Sequence, residues 1–283
     1  MTRASASLLL LLCCALTGRA ASPQSAAEPA GSWRMTWQDE FNGKDGSRPD
    51  PAKWVYDVGG NGWGNHELET YTDRLSNVRV EHGNLVLEAR HEDYTGSDGK
   101  PQPYTSGRLK TLGKFAQQEG RFEARIKIPK GRGVWPAFWM EGANIAAVGW
   151  PACGELDIME NIGHQPGRIY STLHGSGFEA KSHLQSRLDL PDGQSLGDDF
   201  HVYGVEWSGN TTTFLLDGKP YGSIVRDTVE HGRDLPFQQP FFMLLNLAIG
   251  GDWEGAPDAA TVFPATMLVD FVRVYERAPV QAR

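Results

Sequence analysis

Side-chain alternation with a period of two, interrupted every few residues by turn chemistry, limits what this chain can fold into more than any other feature. In residues 121–128 (RFEARIKI) Phe122, Ala124, Ile126 and Ile128 share one face and charged residues take the other. Residues 84–90 and 201–207 follow the same rule. Successive strand residues point to opposite faces, so each such segment presents one apolar and one polar side. His82-Gly83-Asn84, Ser208-Gly209-Asn210 and Asp217-Gly218-Lys219 punctuate the pattern, and the Asp-Gly step is a strong hairpin signal. Two near-continuous apolar runs, 241–249 (FFMLLNLAI) and 267–275 (MLVDFVRVY), suit central strands covered on both faces. No helical period of useful length and no repeat is present. The expectation is all-β: a two-sheet antiparallel sandwich of the lectin-like kind, folded as one domain.

The N-terminus carries Arg3, an apolar run at Leu8–Leu12 and the small-residue stretch Gly18-Arg19-Ala20-Ala21-Ser22, which together have the form of a secretory signal cut near Ala20 or Ala21. The run is well short of the roughly 20 residues of a membrane span. The expected organisation is therefore a signal over 1–21, a flexible lead-in over 22–31, the β-sandwich domain over 32–277 and a tail over 278–283, with the product secreted. Loss of Arg3 and Arg19 takes the formal charge from −8 to −10. So acidic a protein repels nucleic acid and anionic membranes, which excludes both as expected partners, and a monomer is expected. After cleavage Cys153 is the only cysteine, so no intramolecular disulfide is available.

Several catalytic patterns fail. His66-Glu67-Leu68-Glu69-Thr70 starts like a helical zinc site, but Thr70 replaces the second ligand and the surroundings (GGNGWGNHELETYT) are glycine-rich. No G-x-S-x-G elbow occurs, and the glycines at 59–64 precede no helix that would hold a phosphate.

The informative stretch is CGELDIMENIG, which sets Glu155, Asp157 and Glu160 in an otherwise apolar strand. Strict alternation puts Glu155 and Asp157 on one face and turns Glu160 into the core, where a lone carboxylate costs several kcal/mol. A β-bulge near Ile158–Met159 would return Glu160 to the face of the other two. An acidic strand of this kind also serves as a solvated face or an oxygen-rich ion site. Against that stand the apolar flanks without basic partners, and the segment VWPAFWM, in which Trp135, Ala137 and Trp139 share a face. A core tryptophan pair is the ordinary alternative. The chain has 9 Trp, however, and Trp63, Trp150 and Trp253 lie in Gly-rich loops of the kind that rim clefts. Indole faces suit the C–H faces of sugar rings, and two carboxyls across such a groove are what hydrolysis of a glycosidic bond needs. A hairpin turning at 164–167 would set His174 opposite Glu155.

Trp150-Pro151-x-Cys153-Gly154-Glu155-Leu156-Asp157-Ile158-Met159-Glu160 resembles the active-site strand of family 16 glycoside hydrolases, in the laminarinase-like branch. The resemblance runs through WQDEFNG at 37–43, GRL at 107–109, RFEAR at 121–125, PAFWM at 136–140, TLHG at 172–175, NLAIGG at 246–251 and VDFVRVY at 269–275. It implies a jelly-roll sandwich of the concanavalin A-like lectin and glucanase type, and a retaining endo-hydrolase of β-1,3-glucan, with mixed β-1,3/1,4-glucan as a second substrate. A non-catalytic glucan-recognition protein, or activity on another β-linked polysaccharide such as a galactan, are the alternatives. By the match Glu155 is the nucleophile, Asp157 its helper and Glu160 the acid/base. Substrate contacts carry over to Asn65, Arg108, Trp135, Trp139 and His174. NHELETYT departs from the usual pattern after Asn65. No cofactor is required for the chemistry. Family members often hold a structural calcium, and the matching positions are Glu40 and Gly83, through backbone oxygens, and Asp270.

Overall fold

A computed structural model describes residues 32–176, 184–228 and 235–278; the expected signal and lead-in, and the tail beyond Ala278, lie outside them. The period-two segments become strands of two facing sheets, the expected all-β sandwich. One sheet has seven strands, in the spatial order Leu184–Asp189, Arg168–His174, Glu155–Glu160, Val134–Gly142, Phe241–Ile249, Arg108–Lys110 and Val55–Tyr56, with every pair antiparallel. The other follows the path Lys219–Val225, Thr211–Leu216, His201–Ser208, Gly120–Lys127, Ala265–Arg277, Asn84–Thr95, Pro101–Ser106 and Glu69–Tyr71. Trp33–Asp39 and Val78–Glu81 join that path by pairing with Ala265–Arg277 and Asn84–Thr95. Among the described residues only Glu69–Tyr71 pairs in parallel, with Pro101–Ser106. The Asp-Gly signal forms the hairpin between Thr211–Leu216 and Lys219–Val225, with both residues left-handed (φ 50° and 74°) as a type I′ turn requires.

The core lies between the sheets. Phe122, Ala124 and Ile126 enter it from the ten-stranded sheet, and Phe138, Met140, Leu156, Leu245 and Leu247 from the seven-stranded one, all fully buried. Each large apolar side chain removed from water in this way contributes about 1.5–3 kcal/mol. Phe241–Ile249 is buried along its whole length, because its odd-numbered residues meet the core while Phe242, Leu244, Asn246 and Ala248 face the opposite, walled side of the sheet.

Strand Glu155–Glu160 is irregular at one point. Toward Arg168–His174 its pairing steps from Asp157↔Thr172 to Glu160↔Tyr170, and toward Val134–Gly142 from Asp157↔Trp139 to Met159↔Phe138. One residue is therefore in excess. Ile158 and Met159, adjacent in sequence, both enter the core, at 1% and 0% exposure. The carbonyl of Ile158 accepts a hydrogen bond from Ser171 Oγ at 2.8 Å. This is the bulge that alternation demanded, and it returns Glu160 to the outer face.

Since the bulge adds one core side chain, and its deletion would leave the three acids on alternate positions of one face, removal of Met159 is expected to leave a cooperatively folding protein. Its stability loss is expected to be that of removing one buried side chain, about 2–5 kcal/mol. Chemical denaturation followed by circular dichroism checks this; a non-cooperative or unfolded variant would show that the extra residue sets the fold itself.

Candidate active site

Residues on the outer face of the seven-stranded sheet line a cleft of about 930 Å³. Strand register places the acids. Glu155 lies opposite His174 on one neighbour and Glu141 on the other, Asp157 lies between Thr172 and Trp139, and Glu160 between Tyr170 and Ala137. His174 Nε2 is 3.1 Å from Asp157 Oδ2 and 4.0 Å from Glu155 Oε1. Trp150 Nε1 donates to Glu155 Oε2 at 2.5 Å, and Trp135 Nε1 donates to Glu160 Oε1 at 3.1 Å. Each of the two outer acids is thus held by an indole that also forms part of the wall.

The cluster is electrostatically asymmetric. Burial, then the charges of Asp157 and Glu155, push Glu160 well above the ordinary carboxyl range, against the opposing pull of His174 and the Trp135 hydrogen bond. Asp157 is displaced in the same direction, again by burial first and by Glu155 second. A proton retained on Glu160 suits a general acid, and Glu155, reached by an indole donor and open to the cleft, is placed as a nucleophile would be.

The walls are fixed from behind. Trp139 Nε1 donates to Asn246 Oδ1 at 2.7 Å, Asn246 Nδ2 to the Tyr71 hydroxyl at 3.1 Å, and that hydroxyl to Glu67 Oε2 at 3.1 Å. Asn65 Nδ2 closes this chain on Glu67 Oε1 at 3.2 Å. The Arg108 guanidinium sits 4.7 Å from the Trp63 ring and 4.9 Å from the Trp139 ring, while its Nε donates to Asp57 Oδ2 at 2.9 Å. At the other end Trp253 meets Trp135 and Tyr170 edge-on, at 5.2 and 4.8 Å between ring centroids. Trp253 rides on the turn Gly251–Glu254, entered through the left-handed pair Gly250–Gly251, where a Cβ on Gly250 would come within 2.7 Å of Leu68. Glu254, 1% exposed, anchors this turn by accepting from the Gly133 amide at 2.6 Å and from His164.

The structure therefore brings Glu155, Asp157, Glu160, Asn65, Arg108, Trp135, Trp139 and His174 to one cleft, together with Trp63, Trp150 and Trp253. Glu40, Gly83 and Asp270 lie on the ten-stranded sheet and its turns, away from the cleft. Strand Trp33–Asp39 ends, and strand Asn84–Thr95 begins, beside the same stretch of Ala265–Arg277, so topology brings the three positions to a common edge. Asp270 pairs with Arg125, whose Nη1 donates to Oδ2 at 2.8 Å. The Glu40 carboxylate is likewise taken, by Arg273 at 2.8 and 2.9 Å, which leaves its backbone oxygen as the donor of the expected set. The failed zinc pattern has its own explanation: His66 is exposed and left-handed (φ 55°), while Glu67 and Glu69 are buried, Glu67 against the cleft.

Sequence reasoning missed Glu141, Asn246, Asp57 and Tyr71 as parts of the site. Glu141 shares strand parity with Trp135, Ala137 and Trp139, which is the signal that would have found it.

Between the ordinary glutamate value and the raised one, folded Glu160 holds a proton that the unfolded chain has released, so stability falls as pH rises through that interval. Glu160→Gln removes this slope. The variant is expected to melt at a higher temperature than the parent at about pH 7, with the gain vanishing toward about pH 4, where the glutamate is protonated in both states. A melting series across pH tests it; a pH-independent difference would mean that Glu160 titrates normally.

Residues 65–265 match the family model described as Glycosyl hydrolases family 16. The chain is 39% identical to a β-glucanase of Rhodothermus marinus over 97% of its own length and 94% of the relative's. It superposes on the endo-β-1,3-glucanase of Pyrococcus furiosus with a TM-score of 0.82 at 43% identity, covering 88% of this chain and 96% of that one. Against the laminarinase catalytic domain of Thermotoga maritima the TM-score is 0.81 at 41% identity, over 87% and 99% of the two chains. Fold, cleft and matched residues make the chain a member of glycosyl hydrolase family 16.

Proposed function

We propose that this protein is an endo-acting, retaining hydrolase of β-1,3-glucan, with Glu155 as nucleophile and Glu160 as acid/base. The observation that carries the reading is the bulged strand, which sets both carboxyls on one face of a tryptophan-lined cleft and gives Glu160 a proton to donate. The names of the similar glucanases and laminarinases support the choice of glucan.

In the first displacement a Glu155 oxygen attacks the anomeric carbon while the Glu160 proton passes to the departing glycosidic oxygen. The C–O bond breaks and a glycosyl ester on Glu155 forms. Glu160, now ionised, takes a proton from an incoming water, whose oxygen attacks the same carbon, and Glu155 leaves as carboxylate. Two inversions return the β-configuration. Asp157, against both Glu155 and His174, positions the nucleophile and keeps its charge apart from that of Glu160. Trp63, Trp135, Trp139, Trp150 and Trp253 offer the rings on which glucosyl units stack. The signal-like N-terminus supports action outside the cytoplasm, on a polymer too large to enter a cell.

Laminarin, lichenan and agarose are the substrates that test the reading, with reducing ends measured. Laminarin is expected to be cut fastest, with β-anomeric ends appearing first by NMR. Glu155→Gln is expected to abolish turnover, since the amide is isosteric but not nucleophilic, while oligosaccharide binding and folding persist. Agarose as the preferred substrate, or α-anomeric first products, would overturn the substrate or the mechanism respectively.

A further inference from the structure

Glu141 is a fourth carboxyl in the cleft, and the double displacement has no use for it. Strand register fixes its surroundings: Glu155 lies directly opposite on one neighbouring strand and Phe242 on the other, so its carboxyl stands between a like charge and a phenyl ring. Side chains so paired lie about 5 Å apart at Cβ, and like charges in that relation destabilise a sheet. Glu141 is only 7% exposed, yet it lines the cleft. Among the described residues no donor reaches its carboxyl, and no cation pairs with it. Arg108 and Lys110, the cations whose charge acts on it, make their hydrogen bonds to Asp57 instead. Burial and the charge of Glu155 together push it up to about 7.

A carboxyl that is buried, repelled and unbonded has no stabilising partner in the fold, and its unused hydrogen-bonding capacity opens onto the cleft beside the nucleophile. We propose that Glu141 is a substrate-binding residue whose carboxyl hydrogen-bonds a ring hydroxyl of the glucosyl unit seated over Glu155. This deepens the glucanase reading and rests on it. Next to Trp139, whose indole supplies an apolar face, Glu141 supplies the polar edge that a neutral hexose needs and that an apolar residue at the same position would lack.

The test compares Glu141→Gln, which keeps hydrogen-bonding capacity, with Glu141→Leu, which keeps only volume, and with Glu141→Ala in case the leucine does not fit. Binding of laminarin oligosaccharides is measured by calorimetry in a Glu155→Gln background, and kcat and KM on laminarin in the otherwise intact chain. Leu or Ala is expected to weaken binding and raise KM by about tenfold, the loss typical of one hydrogen bond to a charged or acidic group, while Gln stays within about threefold of the parent. Melting temperatures of the variants are expected to equal or exceed the parent's, because a repelled carboxyl has gone. Unchanged binding and KM in the Leu or Ala variant would overturn the proposal, and so would lowered melting temperatures with oligosaccharide affinity intact, which would mark a structural role. A parent that does not hydrolyse laminarin at all would instead sink the glucanase reading, so the two failures are distinguishable.

Discussion

Repulsion among carboxyls held on one sheet face is the condition to which the rest of the cleft responds. Glu155, Asp157, Glu160 and Glu141 crowd a single wall, and ionising all of them at once is opposed by their mutual repulsion and by burial. The burial that makes this crowding costly also pushes Glu160, Asp157 and Glu141 upward, which favours a mixture of protonated and ionised groups at one pH. Hydrolysis of a glycosidic bond needs such a mixture, since it calls for a donor and a nucleophile in the same instant.

That arrangement is useful only if the walls do not move. The aromatic residues of the cleft are tied down by their polar atoms: Trp135 to Glu160, Trp150 to Glu155 and Trp139 through Asn246 and Tyr71 to Glu67. The apolar faces are left for ligand. Behind them a buried Glu254 fixes the Trp253 turn to the Gly133 amide and to His164. A substrate entering such a cleft does not have to order it first, so less of its binding energy is spent on the protein.

Much of this was legible in the sequence, because strands convert spacing into direction. Period two predicted the sheets, the misfit of Glu160 predicted the bulge, and the turn at 164–167 predicted His174 opposite Glu155. The rest was not legible, for three separate reasons. Asn246 sits in FFMLLNLAI, a run whose second face is covered by cleft walls rather than by another layer, and composition alone does not distinguish the two kinds of cover. Glu141 follows VWPAFWM directly, where the aromatic pattern stops at Trp139 although the parity does not. Asp57, Glu67 and Tyr71 reach the cleft through contacts between segments distant in sequence, and no local pattern reports those. Asp270 is likewise an acid among apolar neighbours in its own strand whose partner, Arg125, stands on the strand beside it.

The bulge has a consequence for how such proteins are found. Because Ile158 and Met159 both enter the core, the interval between the second and third acids is not dictated by the chemistry. A strand with one residue fewer presents the same three carboxyls to the same face. Evolution is free to gain or lose that residue, provided the core accepts the change in volume. A search pattern that fixes the interval would therefore separate proteins with equivalent clefts, and one that asks which face each acid occupies would unite them.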